Sequence, residues 1–214
     1  MFFKKRKQKK QTVESFTKTV DVLWNGIHKL DSLLEKIIHR HDVTVDTAVF
    51  IQRSVDDLIS TCLIYKEHKL FHLYNEPIIN KSIPLMQNII GQIVHKAKGL
   101  FSLHNIFEMI KSRIEDEDDS EVISECRKQA DDIEHEFHKL FNSVLDDYIS
   151  LRETVLMIRT VVSRDKMAII CGVDLYLLYE HNESIIKKSI SRTVRFDKIE
   201  IDKIKEKVVN QHEQ

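Results

Sequence analysis

Residues 129–141 read QADDIEHEFHKLF. Ala130, Ile133, Phe137, Leu140 and Phe141 recur at steps of three and four, the spacing at which α-helical side chains share one face. Followed outward, the stripe runs back through Cys126 to Val122 and forward to Val144, which predicts a helix over 121–146. The same period governs Val20, Leu23, Ile27, Leu30, Leu34 and Ile38, and again Ala48, Ile51, Val55, Leu58, Cys62 and Tyr65. Helices are therefore expected over 20–38 and 47–74, with a third over 84–114 and a fifth over 151–181. Breaks are expected at His41-Asp42, at YNEPIINKSIP (74–84), which holds both prolines, and as a short corner in DDYISLRE (146–153). The run EDEDDSE (115–121) suits either a helix start at Ser120 or a linker, since carboxylates favour the N-terminal end of a helix. TVRFDKIEI (193–201) has a period of two but no partner strand, so helix or extended tail is preferred.

Composition points the same way. With 4 Gly and 2 Pro in 214 residues and 31% charged side chains, the chain has little material for hairpins and much for long helices. Cys62, Cys126 and Cys171 are odd in number and widely spaced, which argues against a disulfide framework and for a reducing compartment. No apolar run approaches the ~20 residues of a membrane span. The N-terminus, MFFKKRKQKK, carries six basic residues with no apolar segment behind them. It reads as a flexible tail, or as a segment that lies on an anionic membrane surface.

Polar residues border three of the apolar stripes. On the first helix His28, Asp31, Glu35 and His39 flank the core face. On the fourth, Glu134 and His138 do so, while His135 points outward; on the second, Asp56 lies beside Gln52 and Ser60. Charges at a core boundary are costly unless paired or ligating, and His and carboxylate at these steps can share a metal. An ordinary salt-bridged boundary gives the same pattern.

Several activities lack their residues. The four glycines are isolated, so no phosphate loop is present, and GxSxG is absent. A di-iron oxidase needs two Glu-x-x-His pairs, whereas only Asp132-x-x-His135 occurs. Beyond residue 10 basic and acidic residues alternate and the net charge is −1, so a nucleic-acid surface is not expected. The chain is not expected to be an enzyme. Apolar Ile158, Val161, Ile169 and Ile170 are expected to be exposed and to allow homo-oligomers.

The segments HKLDSLLEKI (28–37), SVDDLIS (54–60), DIEHEFHKL (132–140) and ESIIKKS (183–189) resemble the PhoU-like superfamily, in the branch of accessory proteins to Pit-type phosphate transporters. Its Glu-His-x-x-Asp motif is met by His28 and Asp31, with Ile27 in place of the Glu. Its Asp-Asp-x-x-Asp motif is met by Asp56 and Asp57, with Ser60 in place of the last Asp. In the second half Glu134 and His135 match, His138 replaces an Asp, and the acidic pair expected near Ile169 and Ile170 is missing.

The resemblance implies an all-α fold, an elongated bundle of five to six long antiparallel helices in a tandem three-helix arrangement. A basic flexible tail (1–10) would be followed by a first half (11–118) and a second half with a charged tail (119–214). It also implies a cytoplasmic, non-enzymatic regulator of phosphate transport or signalling, at the inner membrane face. Its partner would be a phosphate transporter or another membrane-associated protein. A divalent metal (Fe, Zn, Mn or Mg) would be held by His28, Asp31, Asp56, Asp57, Glu134 and His138. The alternative left open is a metal-free helical scaffold or protein–protein interaction module.

Overall fold

The computed structural model describes residues 2–68 and 76–172, with side chains from 11–68 and 77–172. Among these the chain is all-helical. It forms α1 (Phe2–Arg40), α2 (Val45–Glu67), α3 (Glu76–Asp116) and α4 (Ser120–Ile170). Each helix reverses the direction of the one before it. The packed pairs are α1 with α2, α2 with α3, α3 with α4, and α1 with α4, which closes a four-helix ring.

The stripes seen in sequence face the interior. Phe16, Val20, Leu23, Ile27, Leu30 and Leu34 from α1 meet Ala48, Ile51, Val55, Cys62 and Tyr65 from α2. Ile79, Met86 and Ile93 from α3 and Val144, Tyr148, Leu151, Val155 and Ile158 from α4 complete one continuous apolar cluster. Residues of α1, α2 and α3 from the expected first half and of α4 from the second share this core. Burying a large apolar side chain contributes about 1.5–3 kcal/mol, so this shared stripe is what fixes the helices against each other.

The helix ends follow local chemistry. His41 takes a left-handed conformation (φ 54), and the Asp42 amide donates back to the Ile37 carbonyl at 3.1 Å, a Schellman-type end for α1. Thr44 then caps α2 by accepting from the Thr47 amide at 3.1 Å. Asp119 caps α4 by accepting from the Glu121 amide at 2.8 Å, one residue before the Ser120 expected.

Four expectations are corrected. Residues 2–10, expected as a flexible tail, have helical backbone and begin α1. The prolines do not stop α3: Pro77 lies in its first turn, where a missing amide proton costs little, and Pro84 lies inside it. The carbonyl that Pro84 leaves free belongs to Asn80, which is exposed and open to water. No corner interrupts 146–153, because Tyr148 and Leu151 stay in phase with the core stripe, and α4 runs unbroken for 51 residues. Ile158 and Val161 are buried and Ile169 packs against the core; of that expected patch only Ile170 is exposed. The rest of the fifth helix beyond Gly172 and the tail at 184–211 lie outside the described residues.

The hydroxyl of fully buried Tyr148 has no hydrogen-bond partner among the described residues. Its burial, with the charge of Asp42 adding to it, pushes the phenol pKa upward. An unsatisfied buried hydroxyl costs about 1 kcal/mol or more. Tyr148→Phe is therefore expected to leave the fold intact and raise stability by about 1 kcal/mol, measured by urea denaturation; a loss would show that the hydroxyl is satisfied.

Candidate functional site

Two polar regions and one apolar region stand out. The first is the α1–α4 seam. Asp31, half-buried on α1, accepts from the Arg152 Nε at 2.7 Å and faces the Arg159 guanidinium at 3.8 Å. Arg152 also reaches Glu35 at 3.3 Å. Arg159 lies 5.8 Å over the Trp24 ring, and Trp24 packs edge-on to His28 at 4.5 Å. One heptad further along α4, Lys166 pairs with Asp21. The cations of α4 thus occupy the carboxylates that sequence spacing offered to a metal, and the hydrogen bond to Asp31 raises the Arg152 pKa further.

The other metal candidates are dispersed. Asp56 and Asp57 are exposed on α2, where their carbonyls accept from the Ser60 and Thr61 hydroxyls at 2.8 and 2.9 Å. Glu134 and His138 pair with each other at 3.7 Å on α4 and are 60% and 67% exposed. Among the described residues no three His, Cys, Asp or Glu side chains come together to hold a metal ion. The donors named for a metal centre do not come together among the described residues. No helix among the described residues is long and apolar enough to cross a membrane.

The second polar region adjoins the Asp21–Lys166 pair, where the start of the α1 core stripe meets the end of α2. Tyr65 donates a hydrogen bond to Asp165, and Phe16 stacks on Tyr65 at 5.7 Å. His68 lies 3.0 Å from the Thr19 hydroxyl. Burial lowers the His68 pKa, with Glu67 opposing the shift. Burial raises the Asp165 carboxyl to about 6, and the bond from Tyr65 and the charge of Arg164 only partly offset it. Burial also pushes the Cys62 thiol up to about 12, which makes it inert.

The apolar region was missed in the sequence. Beyond Leu100 and Leu140, α3 and α4 continue as a two-helix hairpin past the α1–α2 turn. Its sixteen residues of α3, at about 1.5 Å each, form an arm roughly 24 Å long. Leu103, Phe107, Ile110 and Ile114 face Cys126, Ala130, Ile133 and Phe137 at the alternating three- and four-residue steps of a coiled coil. Apart from Cys126, these remain only half-buried, and Phe101, Ile106 and Met109 beside them are exposed. A cavity of about 230 Å³ opens between the helices, lined by Leu103, His104, Phe107, Ile133, Glu134, Phe137 and His138. The signal was present in the sequence, where the 3.5-residue repeat of 121–146 continues far beyond what α1 can cover. Glu134 and His138 do border a cavity, as their position beside the stripe suggested, but it is an apolar one.

Comparison with protein-family models, curated proteins and solved structures returns no match.

Two measurements check the polar regions. Asp31→Ala leaves Arg152 and Arg159 facing one another and is expected to cost about 1–3 kcal/mol, with most of the loss absent in an Arg152→Met background. For Asp165 the folded pKa lies above the ordinary value of 3.8, so its contribution is fully present below pH ~4 and lost as pH rises through about 6. Asp165→Asn is expected to match wild type near pH 4 and to exceed it by about 1–2 kcal/mol at pH 7–8, discounted for partial solvent access. Equal pH profiles for the two proteins would contradict that assignment.

Proposed function

We propose that this protein works by contact and not by catalysis, as a helical interaction module that binds through the α3–α4 arm. The observation that carries this reading is the arm's apolar seam. Inside the bundle the same two stripes are closed off by α1 and α2, and past the α1–α2 turn they are left half-covered. A coiled-coil hairpin with apolar side chains open along one side is the kind of surface onto which a further helix packs. The α1–α4 polar seam supports the same reading, because its carboxylates are spent on holding the bundle together.

The narrower form of this proposal, taken from the PhoU-like resemblance, is a non-enzymatic regulator of phosphate transport or phosphate signalling. It acts in the cytoplasm beside a membrane-associated transporter, and the basic start of α1 supplies contact with the anionic membrane surface. The order of the segments HKLDSLLEKI, SVDDLIS and DIEHEFHKL is its support. Altered phosphate uptake on deletion of the protein is its expected signature. Divalent metal bound stoichiometrically by the purified chain, and lost in Glu134→Gln and His138→Gln, would restore metal binding to this reading.

The contact reading is tested by placing a photo-crosslinking residue at Glu134 or His138 in the full chain inside cells, with Asp57 on the outer face of α2 as reference. Adducts to protein at Glu134 and His138, and few at Asp57, are expected. Equal or absent adducts at all three positions would reject the arm as the contact surface.

A further inference from the structure

We infer that the arm pairs with the arm of a second copy of this chain, antiparallel, about a two-fold axis through its middle. This rests on the contact reading above and names the partner.

The bundle itself marks which side of the arm is open. On α4, Arg152, Arg159 and Lys166 mark the face turned to α1, one heptad apart. Two heptads back from Arg152 along the same row stands His138, and one heptad before it Asp131. The cavity side of the arm is therefore the continuation of the α1-facing side of the bundle. His41, at the end of α1, lies 6.3 Å from the Phe141 ring and marks where the cover stops. Among the described residues nothing takes the place of α1 and α2 beyond it. A pair of antiparallel helices is what fills this layer inside the bundle, and the arm of a second copy is such a pair.

Charge supplies the register. The tip of the arm concentrates Glu115, Asp116, Glu117, Asp118, Asp119 and Glu121, with only Ser120 between them. At its base, the end of α1 exposes Lys36, His39, Arg40 and His41 as a shelf, with Asp42 and Asp46 of the following turn beside them. Like charges and like surfaces would face each other in a parallel pairing, tip upon tip. In the antiparallel pairing each acidic tip lies clear of the other, on the shelf where Lys36 and Arg40 of the other copy stand. The axis then passes close to Ala130, whose small side chain lets the helices approach. In the same register Ile123 of one copy lies near Phe137 of the other, and Arg127 near Glu134. Such an interface is isologous, so it closes at two copies and does not propagate. The tip-to-base attraction lies between exposed groups and is screened by salt.

Sedimentation velocity on the full chain at tens of micromolar tests this. A dimer is expected at low salt that weakens as salt is raised. Reversing the tip (Glu115→Lys, Asp116→Lys, Asp118→Lys) is expected to weaken it roughly tenfold or more, as is reversing the shelf (His39→Glu, Arg40→Glu). The chain carrying both sets should dimerise again. All of these positions are exposed, so circular dichroism should report unchanged folding. A chain that stays monomeric, or a dimer indifferent to both reversals, overturns the pairing. A photo-crosslink from Glu134 to a different protein, with the chain itself monomeric, overturns the pairing too but leaves the contact reading in place.

Discussion

The α1–α2 turn at residues 41–44 is the constraint on which the rest of the molecule depends. Before it, four apolar stripes close on one another and their large side chains vanish from solvent. Beyond it, α3 and α4 go on alone with the same repeat and half the cover. The lengths of the helices, more than any single residue, decide that one protein is a closed bundle at one end and an open hairpin at the other. His41 and Thr44 enforce the stop, by a left-handed turn that ends α1 and a hydroxyl that starts α2.

Polar residues then divide into two kinds. Several within the bundle are committed between helices: Asp31 with Arg152 and Arg159 and Asp21 with Lys166 join α1 to α4, and Lys96 with Asp147 at 2.6 Å joins α3 to α4. They tie the helices in register without burying a lone charge, which would be far more costly than the exposed pair is favourable. Among the described residues those on the arm make local contacts, as Glu134 does with His138 along one helix. That contrast is why the arm, and not the better-packed charged seam, is read as the working surface.

Much of this was legible from periodicity. The stripes of α1 and α2 name the core almost residue by residue, since a three-to-four step admits one face and no other, whereas the stripe of 121–146 names chiefly the arm and leaves the α4 core from Tyr148 to Val162 unread. Periodicity is blind to two things. It registers that Tyr148 and Leu151 are in phase but not that the chain passes through them unbroken, so a charged patch at 146–153 read as a corner. It also places Asp31 and Glu134 alike beside the core, although one meets arginines from a neighbouring helix and the other meets solvent. What lies across a boundary is tertiary information, and a row of acids on one helix holds none of it. Pro84 misled for a related reason, because a helix tolerates the residue where the orphaned carbonyl can find water.

Gly99 lies where the arm leaves the bundle, and a Cβ built there would come within 3.1 Å of Leu140. Helix axes at such a contact stand about 8–10 Å apart. A methyl group at this point is met either by a turn of the Leu140 side chain or by a wedge at the root of a lever: parting the helices by a few tenths of an ångström, across that spacing, swings a tip some 24 Å away by about 1 Å. The close approach at the root of the hairpin is thus left free by the absence of one side chain.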